Sequence, residues 1–78
     1  MNNFEYQLRV LVAYVQDSLN PGAFAMYQPG FITIGYFDNN GQLNVIADTK
    51  ILANVPDTFA RLHEQVQNRI READKLSI

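Results

Sequence analysis

The residues able to carry chemistry in this chain are few and scattered. His63 is the sole histidine and there is no cysteine, which removes disulfides and thiolate metal sites. Glu64 adjoins His63 in sequence, yet neighbours on a helix point apart, and the residue one turn on is Gln67. No nucleophile stands beside the imidazole, so His63 is read as a boundary residue. The carboxylates are Glu5, Asp17, Asp38, Asp48, Asp57, Glu64, Glu72 and Asp74. General acid–base work needs two groups converging on one site with separated pKa values, and no spacing here forces convergence. Asp38 suits a turn, Asp57 a helix start, and Asp48 a surface pair with Lys50. The run Asp38-Asn39-Asn40-Gly41 lacks the alternating oxygen ligands and distal glutamate of a calcium loop. No catalytic, metal-ligating or cofactor-binding residue is assigned, and the expectation is a protein that is not an enzyme.

Gly22, Gly30, Gly35 and Gly41 match no phosphate-cradling pattern. Gly35 sits inside a strand-like run, where glycine marks a bulge or a close backbone approach. Four of the six cations, Arg61, Arg69, Arg71 and Lys75, are interleaved with Glu64, Glu72 and Asp74 near the C-terminus. That mixture predicts a solvated, salt-laced helix face. The formal net charge of −2 has the wrong sign for a phosphate-backbone binder, so nucleic acid is not an expected partner.

The elements that must position these residues follow from periodicity. Residues 1–78 make one domain. Phe4, Leu8, Leu11, Val12, Val15 and Leu19 recur at spacings of three and four, which predicts a helix over 4–19. Asn2 and Glu5 fit a capping box, and Asn20-Pro21-Gly22 stops the helix. Residues 23–30 read as a connector with one helical turn. FITIGYF, 31–37, is the clearest strand, Asp38-Asn39-Asn40-Gly41 a hairpin turn, and 43–48 the return strand, with a continuation to Leu52 as the alternative. Loops of four or two residues both put Ile32, Ile34, Tyr36, Leu43, Val45 and Ala47 on one face. A second helix follows, with Pro56 in its first turn, Asp57 or Thr58 as cap, a stripe of Phe59, Leu62, Val66, Ile70 and Ala73, and fraying over Leu76-Ser77-Ile78. The expected fold is therefore α+β, a small helix–β-hairpin–helix (αββα) domain with two antiparallel strands, which forms a four-stranded sheet if two copies pair edges.

Two patches exceed what this fold can cover. Tyr6, Val10, Ala13 and Tyr14 form a second stripe on the first helix, displaced from the core stripe. Phe31, Thr33, Phe37 and Ile46 form a second hairpin face. A helix apolar on most of its circumference is normally buried on most of it, and a two-stranded ribbon has two open edges. Tyr6, Val10, Tyr14, Phe31, Phe37 and Ile46 are thus the expected self-association or partner-binding residues, with a homodimer as first expectation. A small-ligand pocket at a subunit seam, suited to a nucleotide-like molecule, would draw on Tyr14, Phe24, Tyr27 and Tyr36. No segment is apolar enough to span a bilayer. The start, Met-Asn-Asn-Phe-Glu, lacks the basic and apolar regions of a signal peptide, so a cytoplasmic location is expected.

The order helix, hairpin, helix in a chain of this size is similar to small phage head–tail joining proteins and to several phage-encoded inhibitors of host defence. This resemblance rests on element order alone. It implies either a structural component of a phage particle or a phage or mobile-element accessory protein inhibiting a host system. Both are cases of the broader expectation, a non-enzymatic protein–protein interaction module that self-associates.

Overall fold

The computed structural model describes residues 3–76, Leu76 by its backbone alone. The elements are α1 (Asn3–Ser18), β1 (Phe24–Gln28), β2 (Phe31–Phe37), β3 (Leu43–Lys50) and α2 (Val55–Leu76). The strands make one antiparallel sheet in the order β1-β2-β3. The two-stranded αββα expectation is therefore corrected: the segment read as a connector is a third strand, and the four-stranded dimer sheet falls with it. The resemblance built on helix–hairpin–helix order loses its basis too. The Asn2 cap and the fraying of Ser77 and Ile78 lie outside the described residues.

The missed strand has a local cause and a tertiary one. Phe-Ala-Met-Tyr-Gln mixes strand-favouring Phe and Tyr with helix-favouring Ala, Met and Gln, so propensity does not decide it. Its partner supplies what propensity lacks. Pro29 and Gly30 close a two-residue turn between Gln28 and Phe31, with Gly30 at φ 77°. Proline presets the first central position, and glycine accepts the left-handed second one. The pairs Phe24–Gly35, Ala25–Ile34, Met26–Thr33 and Tyr27–Ile32 follow. Upstream, Asn20 ends α1 by accepting the Gly22 N–H on its side chain at 2.7 Å, so the expected stop is where it was read.

The β2–β3 hairpin differs from both anticipated registers. Phe37 pairs with Leu43, which leaves a five-residue loop, Asp38 to Gln42. The register then slips at Ile34/Gly35, so Gly35 faces Val45 while Ile34 faces Ala47. Ile46 is the extra residue of a β-bulge, and Ile46 and Ala47 are consecutively buried. The bulge reverses sidedness along β3. Ile46, expected on the outer face, is 4% exposed in the core, while Leu43 and Val45, expected inside, are exposed.

The Asp38 carboxylate organises the loop. One oxygen accepts the Asn40 and Gln42 N–H groups at 2.8 and 2.9 Å, and the other accepts the Asn44 side-chain amide at 3.2 Å. The Gln42 bond holds the Asp38 carboxyl below its usual range; desolvation opposes it, and the bonds from Asn44 and Asn40 add to it. A depressed folded pKa contributes stability above the unfolded value, about 3.9, which is lost as pH falls through the folded value. Carboxyl-detected NMR should show Asp38 titrating below an ordinary aspartate, with the Asn40 and Gln42 amides shifting in step. Titration at or above about 3.9 would refute the loop role.

α2 starts one turn earlier than its expected caps imply. Asn54, not Asp57 or Thr58, is the cap, its side-chain oxygen accepting the Asp57 N–H at 3.3 Å. Thr58 is fully buried, and its hydroxyl accepts the Leu52 N–H at 2.9 Å, fastening the β3–α2 linker. Both helices pack on one face of the sheet, α2 over β3 and α1 against β1 and α2. Leu8, Leu11 and Val15 of α1 and Phe59, Leu62 and Val66 of α2 meet Ile32, Ile34, Ile46 and Ala47 in a single core.

Candidate interaction surfaces

Cross-strand partners share a face of the sheet, so the pairing identifies what the helices leave uncovered. Phe24 and Met26 of β1, Phe31, Thr33 and Phe37 of β2, and Leu43, Val45, Asp48 and Lys50 of β3 lie on the side away from the core. Phe24 and Phe37 stack across this face with ring centroids 5.4 Å apart. Phe37 is 61% exposed, and Phe31, Leu43 and Val45 are exposed as well. Of the sequence-read outer-face residues, Phe31 and Phe37 lie here and Ile46 does not. Leu43 and Val45 were missed, and only Gly35, read as a bulge signal, could have pointed to them.

Tyr6, Val10 and Tyr14 lie elsewhere. They line a groove of about 710 Å³ between α1 and α2, with Leu11, Phe59 and His63. The Tyr14 ring stacks on the His63 imidazole at 6.4 Å and 12°, and its hydroxyl accepts from the Gln67 side-chain amide at 3.1 Å. Tyr14 therefore leans on the neighbouring helix, while Tyr6 and Val10 remain exposed. Within one chain Tyr14, Phe24, Tyr27 and Tyr36 do not line a common pocket. Phe24 is on the outer sheet face. Tyr27 is on the helix side, its ring 6.3 Å from that of Phe4, and burial followed by the Glu5 carboxylate raises its hydroxyl above the usual tyrosine value. Tyr36 is half-buried against the core.

The two sheet edges are unlike. Along β3, Asp48 is bound on both of its backbone groups by Gln65, whose amide oxygen accepts the Asp48 N–H at 3.1 Å and whose amide nitrogen donates to the Asp48 carbonyl at 2.7 Å. Arg69 donates to the Val45 carbonyl at 3.0 Å. α2 thus covers the middle of this edge, from Val45 to Asp48, and Gln65 and Arg69, read from sequence as solvated, have this task. Along β1, the side chain of Gln16 donates to the Ala23 carbonyl at 2.8 Å. The edge from Ala25 to Tyr27 carries no such cover among the described residues.

No described helix is long and apolar enough to cross a membrane. Among the described residues no group of three or more histidine, aspartate or glutamate side chains is placed to hold a metal ion. No family model matches the chain, and neither a curated protein nor a solved structure matches it.

Proposed function

We propose that this chain is a non-enzymatic interaction module that self-associates through the outer face of its sheet. The observation that carries this reading is a three-stranded sheet with helices on one side only and Phe24, Met26, Phe31, Phe37, Leu43 and Val45 on the other. The occupant is a second copy. The chain exposes 5418 Å², where a compact monomer of its mass exposes about 4,800 Å². That surplus approaches the roughly 800 Å² which each partner buries in a standard interface. Sheets stack at about 10 Å through interdigitating side chains of this kind.

Sedimentation over a range of concentrations should give a mass above that of one chain. Phe37→Asp with Val45→Asp should reduce it, weakening face contact at least tenfold, since each large apolar side chain contributes about 1.5–3 kcal/mol when buried. Both positions are exposed, and since Phe37→Asp also removes the stack on Phe24, an unchanged circular dichroism spectrum of the double variant is required for the comparison. Equal masses for variant and unsubstituted chain would refute the reading.

A further inference from the structure

We propose that copies of this chain also join along their β1 edges, antiparallel with Met26 on the two-fold axis, to make one six-stranded sheet. This adds a second surface to the self-association reading and does not depend on face contact. The ladder shows which groups are free. The Ile51 N–H donates to the Gly30 carbonyl at 2.8 Å, which makes Gly30, and by alternation Ile32 and Ile34, the residues bonded towards β3. Phe31, Thr33 and Gly35 therefore bond towards β1, where their partners are Gln28, Met26 and Phe24. Ala25 and Tyr27 aim their N–H and C=O groups out of the sheet. Gln16 closes the stretch at Ala23, and Pro29 ends it on the other side.

A second copy fits these four groups. Gln65 and Arg69 interrupt the β3 edge at its middle by bonding the Val45 carbonyl and both Asp48 groups, so among the described residues an incoming copy meets an uninterrupted run of free groups at β1, and like-to-like pairing closes with two-fold symmetry. With Met26 on the axis, Ala25 of each copy faces Tyr27 of the other, and all four groups are bonded. α1 follows the same line. The Phe4 ring lies beside Tyr27 and Gln16 reaches Ala23, which puts Met26 abreast of the helix near Gln7. A two-fold axis there sets Glu5 of one copy opposite Arg9 of the other, so the charges are complementary. The groove of about 530 Å³ between α1 and β1, which Glu5, Arg9, Phe24 and Tyr27 help to line, becomes a shared seam.

The absence of cysteine allows a clean test. Met26 meets its own counterpart as a non-hydrogen-bonded pair, with Cα atoms about 4.5 Å apart, inside the range of about 4.4–6.8 Å that a disulfide spans. Met26→Cys, made with Phe37→Asp and Val45→Asp to remove face contact, should form a covalent dimer on mild oxidation. Asp48→Cys in the same background should remain a single chain. In the unsubstituted protein, amide exchange at Ala25 and Tyr27 should slow about tenfold or more as concentration rises. Cross-linking at Met26→Cys upholds the edge even where face variants leave the mass unchanged, so the two readings fail separately. Cross-linking at Asp48→Cys with none at Met26→Cys overturns the proposal, as does exchange at Ala25 and Tyr27 that is independent of concentration. Protection that appears only on adding a different protein assigns the edge to a foreign strand and also overturns it.

Discussion

Gly35→Ala should lower the thermal midpoint by about 10 °C or more, because it overfills the bulge by overpacking worth about 1–3 kcal/mol or more. A Cβ at Gly35 would sit 2.5 Å from the Asn44 backbone oxygen, 3.3 Å from the Asn44 carbonyl carbon and 3.3 Å from the Leu43 side chain. The first of these is backbone, held in the hairpin by the Phe37–Leu43 and Tyr36–Asn44 pairs, and it cannot rotate away as a side-chain tip can. Relief requires β3 to move at the point where Ile46 enters the core. The comparison is Gly41→Ala, where a Cβ meets open space but φ is +78°, a backbone cost of about 1–2 kcal/mol. Circular dichroism melts of both variants decide the matter. A Gly35→Ala midpoint no lower than that of Gly41→Ala would show that the bulge yields without strain.

Removing the cover of the β3 edge should change the kind of assembly that forms. With Gln65→Ala and Arg69→Ala together, the Asp48 N–H and C=O and the Val45 carbonyl lose their side-chain partners. These groups face water once freed, so each lost bond costs no more than about 1 kcal/mol and the fold survives. The chain then has an open edge on both sides. Pairing of β1 with β3 of the next copy is heterologous, so each added copy presents a fresh open edge and, unless the rotation closes a ring, the assembly runs on into filaments. Static light scattering should rise without a plateau as concentration increases, where the unsubstituted chain levels off at a closed assembly. A plateau at the same mass would show that these two side chains do not guard the edge.

The two cases show why sequence reading succeeded in some places and failed in others. The α1 core positions Leu8, Leu11 and Val15 were legible because helical spacing ties sequence position to face, and all three are buried. The α2 positions Phe59, Leu62 and Val66 followed for the same reason. Faces on β3 were not legible. Strand periodicity is two, so one extra residue at Ile46 inverts every assignment before it, which exchanged Ile46 with Leu43 and Val45. β1 was not legible because its residues mix strand-favouring Phe24 and Tyr27 with helix-favouring Ala25, Met26 and Gln28, and hydrogen bonds to β2 decide their conformation. Gln65 and Arg69 looked like any solvated pair on a polar helix face, since no spacing records that α2 crosses beside the open edge of β3.

By itself, then, the sequence determined one small α+β chain with two amphipathic helices, turns at Asn20-Pro21-Gly22 and Asp38 to Gly41, and more apolar surface than its helices could hide. These features depend on composition and on contacts between near neighbours. The third strand, the side of the sheet that remains bare, and the difference between a guarded and an open edge were decided only by tertiary structure. Each depends on which backbone groups find partners far along the chain. The outward backbone groups of Ala25, Tyr27 and Asp48 are chemically alike, and nothing in the residue types says which find partners. Asp48 lies beneath Gln65, seventeen residues away, whereas the outward groups of Ala25 and Tyr27 have no described residue over them.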